Sequence, residues 1–137
     1  VSRMFLVAAK LRVPLMAITL RKGYGLGAMA MAGGGFRSAV FTIAWPTGEF
    51  GPMGVEGAIQ LGFKKELEAV ADGPARRALY DQLVAQMYER GHALSVASYG
   101  EIDAVIDPIE TRQWICSGMG AVAQHKQAAR KHFVDAW

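Results

Sequence analysis

Residues 13–35 (VPLMAITLRKGYGLGAMAMAGGG) constrain this chain more than any other stretch, because an apolar run breaks there at a glycine-rich turn and resumes as a helix of small residues. Val13 to Leu20 is rich in β-branched and aliphatic residues and reads as a buried strand with Pro14 at its start. Gly23, Gly25 and Gly27 permit a tight reversal and the close approach of another group, and Leu26 to Met31 supply the first helical turns. The first four N–H groups of a helix lack internal partners and sit at its positive pole. A turn of this kind therefore suits a developing negative charge and needs no catalytic side chain. The competing reading of the same glycines is a tight strand-to-helix packing contact with no ligand.

The 137 residues as a whole are 52% hydrophobic and 20% charged, which suits one folded domain and argues against disorder. Lys10, Arg12, Arg21, Lys22 and Arg37 keep every apolar run below the ~18 residues of a membrane span. The N-terminus lacks a convincing cleavage site and runs straight into the first strand, so it does not read as a signal peptide. Met4, Phe5, Val7, Ala8 and Leu11 share one helical face, as expected of the inside of a longer protein. The net charge of +3 is spread over scattered pairs such as Arg21-Lys22 and Arg76-Arg77, not over a dense stripe with interleaved aromatics. That pattern excludes a nucleic-acid surface and leaves room for a small anion. The single cysteine, Cys116, cannot close an internal disulfide and has no neighbours at metal-ligand spacing, which fits a reducing, cytoplasmic setting.

Beyond the first turn, Gly33 to Gly35 stop the short helix, and Ser38 to Trp45 reads as a second strand. Pro46 to Gly51 reads as a loop, and Pro52 opens a helix from Met53 towards Phe63. Ala75 to Arg90 is the clearest amphipathic helix, with Leu79, Leu83, Val84 and Met87 at helical spacing. Ile102 to Ile106 is a brief strand, after which Asp107, Pro108 and Glu110 carry a helix-start pattern for a helix from Thr111 to about Val122 and on through a polar tail. No internal repeat and no dividing linker is visible, so residues 1–137 read as one α/β domain with irregular crossovers.

Several side-chain patterns compete for attention. Gly25 to Ala30 matches a dinucleotide G-x-G-x-x-A turn with Glu49 downstream, but Gly33 to Gly35 break the helix after about seven residues, short of the dozen that a Rossmann crossover requires. His92 sits at a helix end, and His125 and His132 are seven apart on a polar stretch, where solvated faces suit them better than a metal clip. Ser117 does not lie in a G-x-S-x-G elbow, and Asp107 is explained by capping. No catalytic side-chain constellation and no metal site is read from these residues.

Three separated segments, 13–31 (VPLMAITLRKGYGLGAMAM), 44–58 (AWPTGEFGPMGVEGA) and 102–112 (IDAVIDPIETR), resemble in order the C-terminal half of the carboxyltransferase, or beta, subunit of biotin-dependent acyl-CoA carboxylases. The resemblance implies a crotonase-like (ClpP/crotonase) fold of repeated ββα units, here as a partial C-terminal carboxyltransferase domain. It implies transfer of a carboxyl group from carboxybiotin to an acyl-CoA, with this chain on the biotin side and the active site lying across a dimer interface. The implied partners are a second copy or higher homo-oligomer, a biotin carboxylase and biotin carrier, and an N-terminal carboxyltransferase domain. The family turn reads roughly R-K-A-Y-G-G-A-Y-D where this chain has Arg21 to Met29, so the matching oxyanion donors are the backbone N–H groups of Leu26 and Gly27. Tyr24, Gly25, Ala28 and Met29 fall at the neighbouring biotin- and substrate-binding positions. Met29 replaces an aspartate carried by many relatives, which implies a more apolar pocket. Two other functions stay open at this point: a docking module without turnover, and a crotonase-superfamily hydratase or isomerase, for which Glu49 is the sole nearby acid.

Overall fold

The computed structural model of the protein describes residues 2–71 and 73–124. Helix α1 (Ser2–Lys10) leads into β1 (Ala17–Thr19), β2 (Lys22–Tyr24) and α2 (Gly25–Met31), and the same order returns in β3 (Thr42–Ala44), β4 (Glu49–Gly51) and α3 (Val55–Gly62). Helices α4 (Lys64–Ala69), α5 (Pro74–Gly91) and α6 (Ala93–Ser98) follow, then β5 (Ala104–Val105), a 3₁₀ turn (Pro108–Glu110) and α7 (Thr111–Gln124).

Two small parallel sheets result. One has the order β1-β3-β5 and the other pairs β2 with β4. Thus β1-β2-α2 and β3-β4-α3 are two copies of one ββα unit laid side by side, strand on equivalent strand. The repeat is invisible in the sequence because the paired residues share almost nothing: Ala17 faces Thr42, Lys22 faces Glu49, and Tyr24 faces Gly51, with Ile18 opposite Ile43 the one identity. The connections also differ, two residues between β1 and β2 against four between β3 and β4.

The strand expected over Val13 to Leu20 is confined to β1, and Gly23, expected in a tight reversal, lies in strand β2. Leu20 and Arg21 turn the chain from one sheet into the other, and the stretch read as a Pro46–Gly51 loop carries strand β4 at its end. A three-residue strand buries too few side chains to show a period, which is why neither β2 nor β4 stands out by pattern. The remaining strands are also shorter than their apolar runs, since only the residues that meet a neighbouring backbone join the ladder.

Central strand β3 organises the core. Thr42, Ile43 and Ala44 have no exposed surface, as expected of a middle strand covered on both faces. Alternation sends Ile43 to one side, with Phe41, Ile106, Ile18 and Trp114, and Ala44 to the other, with Phe50, Ala93, Val96 and Ile102. Burying a side chain such as Ile43 contributes roughly 1.5–3 kcal/mol. Thr42 is satisfied from two sides, since its hydroxyl donates to the Phe36 carbonyl while its N–H donates to Asp103 Oδ2 at 2.7 Å and its carbonyl accepts the Asp103 N–H at 2.8 Å. Asp103 is thus a strand clamp and not an acid catalyst.

The helix ends follow the sequence closely. Gly34 N–H reaches the Met29 carbonyl at 2.9 Å, and Gly33 has φ +84°, which together close α2 in a Schellman arrangement. Asp107 accepts the Ile109 N–H at 2.9 Å while Glu110 Oε2 accepts the Asp107 N–H at 3.0 Å, the reciprocal capping box expected there. The expected stripe on α5 faces the protein, but Leu79, Leu83, Val84 and Met87 are half-buried. Arg112 is exposed and forms no ion pair among the described residues. His125, His132 and the polar tail to Trp137 lie outside the described residues.

Gly91 ends α5 against the backbone of β4, where an added Cβ would overlap the Phe50 carbonyl oxygen. Helix propensity alone favours alanine there by ~1 kcal/mol. Gly91→Ala is nevertheless expected to destabilise the chain by about 1–3 kcal/mol, measured by urea denaturation, because β4 must move to admit the methyl group.

Candidate active site

Pairing of β2 with β4 sets the starts of α2 and α3 next to each other. Tyr24 faces Gly51 in register, and the Tyr24 ring lies so close that a Cβ on Gly51 would stand 3.3 Å from its Cδ1 and Cε1 atoms. One residue on, Gly25 takes φ +62°, and a Cβ there would meet the Pro52 carbonyl oxygen at 2.8 Å. Both the left-handed backbone and the lack of space demand glycine at this corner.

Immediately beyond the corner the chain opens to solvent. Leu26 is 60% exposed, and nothing lies within 4 Å of where a Cβ on Gly27 would stand. No side chain caps α2 and its first turn holds no acidic residue. The N–H groups of Leu26 and Gly27 belong to the set that has no partner inside a helix. Ala28 is half-buried, whereas Met29 is only 4% exposed and packs inward on the same helix. All six residues singled out in the sequence therefore sit on one corner, with Leu26 and Gly27 on its open side and Met29 beneath it.

The sister helix is treated differently. Glu56 stands in the first turn of α3 and accepts the Tyr88 hydroxyl at 2.9 Å. Its own backbone N–H, and after that Tyr88, hold the Glu56 carboxyl below the usual glutamate range, and the Tyr88 hydroxyl is pushed up by the same bond. A carboxylate of the chain thus occupies the positive end of α3. The corresponding end of α2 is left without one.

Glu49 is the residue that sequence reasoning placed wrongly. It lies in a strand and not out in a loop, and its Oε2 accepts the Tyr24 hydroxyl at 2.8 Å. Burial first, then the Glu49 hydrogen bond and charge, push the Tyr24 hydroxyl well above the ordinary tyrosine value, so it stays a protonated donor. No local pattern could reveal this contact, because residues 24 and 49 meet only through the β2–β4 ladder. The Trp45–Gly48 connection is tied to the preceding turn and to α7 instead. Thr47 donates to the Leu20 carbonyl, and Trp45 Nε1 donates to Thr111 Oγ1 at 3.0 Å. A shallow cavity of about 400 Å³ lined by Phe36, Arg37, Val40, Glu101 and Asp103 among others shares no residue with the α2 start.

The sequence matches the carboxyl transferase domain family over residues 2–134. The chain belongs to that family. Its parallel ββα units with flanking helices are the crotonase-like fold of the carboxyl transferase domain. The methylmalonyl-CoA carboxyltransferase 12S subunit of Propionibacterium freudenreichii subsp. shermanii is 33% identical over 133 residues, 96% of this chain and 25% of that protein. The solved hexameric transcarboxylase 12S, with methylmalonyl-CoA bound, superposes with a TM-score of 0.78 at 30% identity over 96% of this chain and 25% of its own. A biotin-dependent long-chain acyl-CoA carboxylase beta4 subunit of Mycobacterium tuberculosis is 36% identical over 125 residues, 88% of this chain and 23% of that one. A solved single-chain, multi-domain long-chain acyl-CoA carboxylase reaches 54% identity and a TM-score of 0.70 over 85% of this chain and 11% of its own. This carboxyl transferase domain chain spans about a quarter of the length of the curated relatives it matches. Among its described residues no helix is long and apolar enough to cross a membrane.

Because the folded Glu56 carboxyl titrates below its usual value of about 4.5, its contribution to stability is complete above that value and is lost as pH falls through the lowered one. Glu56→Gln is expected to flatten the acid limb of the stability curve, followed by chemical denaturation between roughly pH 6 and pH 3.

Proposed function

We propose that this chain supplies the biotin-side half of an acyl-CoA carboxyltransferase site, at which the carboxyl group of carboxybiotin passes to the α-carbon of an acyl-CoA. The observation that carries this reading is the uncapped, acid-free and solvent-open start of α2, beside a sister helix whose own start is filled by Glu56. The donor set there fits an anionic oxygen. When bound, carboxybiotin would supply the carboxyl group, a ureido oxygen that carries negative charge once that group has left, and a ring nitrogen to take the proton that the α-carbon gives up. The Leu26 and Gly27 N–H groups meet that charge, and because the fold already fixes them they need no reorganisation as it develops. Tyr24 and Gly25 set the corner that aims them, and Ala28 and Met29 form its floor. With a buried methionine and no aspartate at position 29, the floor is uncharged, which favours an apolar acyl chain.

The other half of the site, the acyl-CoA half, comes in this reading from an N-terminal carboxyltransferase domain on an opposing subunit. The exposed Leu26 and the open face around it support a second wall from outside the chain. The working assembly is then a homo-oligomer, a dimer or larger, served by a biotin carboxylase and a biotin carrier in the cytoplasm. Residues 1–137 act in it as one domain, the C-terminal part of a longer carboxyltransferase unit. A docking role without turnover is the second reading, favoured by the apolar surface of α1, where Leu6 and Val7 are 64% and 62% exposed.

The two readings separate when the chain is mixed with a separately prepared acyl-CoA-binding carboxyltransferase domain and a carboxylated carrier, and labelled carboxyl transfer to propionyl-CoA is followed. Transfer is expected; a folded, associated mixture without transfer means docking alone. Cα–Cβ bonds tilt towards a helix N-terminus, so a side chain at position 27 crowds the face onto which its N–H opens. Gly27→Val is expected to cut transfer by about 100-fold, the scale of losing one oxyanion donor, while leaving the melting temperature close to that of the unaltered chain.

A further inference from the structure

An N-cap residue ordinarily steadies a helix by turning its side chain onto the free N–H groups of the first turn, and serine, threonine, aspartate and asparagine serve best. Helix α2 has tyrosine there, with an extended backbone (φ −107°, ψ 138°) and no side-chain cap. Capping would stabilise the helix but would occupy the N–H groups that the proposed reaction uses. Something else must hold the corner.

Glu49 is built to do so, since it grips β2 at both ends. Its backbone N–H donates to the Arg21 carbonyl at 2.6 Å, just before the strand, and its Oε2 accepts the Tyr24 hydroxyl at 2.8 Å, at the last residue of the strand. Glu49 is itself braced. It faces Lys22 in the β2–β4 ladder and forms a bridge with His92 on its other side. With the hydroxyl held, the Tyr24 ring stays across Gly51, and Gly25 stays against the Pro52 carbonyl. The tyrosine side chain therefore points back along the sheet, away from the N–H groups that follow it.

We propose that Glu49 is a positioning residue for the α2 start, acting through Tyr24 to fix the direction of the Leu26 and Gly27 N–H groups while leaving them unoccupied. This rests on the reading of α2 as the biotin-side oxyanion site. Glu49 touches no reactant in this scheme. The corner is held by a side chain from the sister ββα unit, so the aim of the N–H groups depends on the alignment of the two units and not on α2 alone.

The test uses three variants of the full chain, Tyr24→Phe, Glu49→Ala and Glu49→Gln, the last keeping a carbonyl acceptor for the tyrosine. Hydrogen exchange of the backbone N–H groups, resolved by NMR, is read at the bonded donors of α2, residues 28–31, and at α5. Tyr24→Phe and Glu49→Ala are expected to speed exchange about tenfold at 28–31 only, as for a lost hydrogen bond to a charged group, with Glu49→Gln intermediate or unchanged. In the transfer assay with the acyl-CoA-binding domain, the first two variants are expected to lower kcat about tenfold with KM for propionyl-CoA unchanged, and Glu49→Gln to recover most of the rate. Exchange and kcat both at the unaltered level in Tyr24→Phe and Glu49→Ala overturn the proposal while the carboxyltransferase reading stands. Equal acceleration at α5, or a rise in KM that matches the fall in kcat/KM, also overturns it, since the pair then holds the whole fold or binds substrate. If the unaltered chain transfers nothing, the carboxyltransferase reading fails, and exchange at 28–31 still decides whether Glu49 holds the corner.

Discussion

The short parallel pairing of β2 with β4 is the contact on which the surroundings of the α2 start depend. Three residue pairs bring Tyr24 over Gly51 and Gly25 under the Pro52 carbonyl, the second contact excluding a side chain on its glycine and the first leaving little room for one. A helix of seven residues has little stability of its own, since nucleation costs more than so few intrahelical bonds return. Helix α2 persists because its N-terminus is held by the sister unit and its C-terminus is closed by Gly33 and Gly34. The arrangement leaves the first N–H groups free, which a capped helix of the same length would not.

Duplication of the ββα unit creates two adjacent helix starts with the same positive end, and the chain distinguishes them by electrostatics. At α3, Glu56 supplies an internal carboxylate steadied by Tyr88, so an external anion meets like charge. At α2 the first turn has only Gly25, Leu26, Gly27 and Ala28. Fixed dipoles with no internal counter-charge are strongest where water is excluded. The α2 start lies on an open face, so exclusion of water falls, in the proposed assembly, to the opposing subunit.

The same design explains why so little of the proposed chemistry resides in side chains. Asp103 is committed to Thr42, Asp107 and Glu110 to each other's backbone, Trp45 to Thr111, and Glu49 to Tyr24. These polar groups hold the fold in place.

Local chemistry was readable wherever neighbours in sequence settle it. The glycine-rich corner, the Gly33–Gly34 stop and the Asp107–Glu110 capping box follow from residues within a few positions of one another, and all are present. The family pattern over residues 13–31, 44–58 and 102–112 likewise belongs to the sequence. Tertiary structure alone decided the rest. The placing of strand β2 within the glycine-rich turn, the hidden strand β4, the repeat with a single identity, and the meeting of Glu49 with Tyr24 all arise from pairing across twenty-five or more positions. Such pairs are selected by backbone hydrogen bonding and fit, which impose no common residue type on the partners, so no pattern along the chain records them.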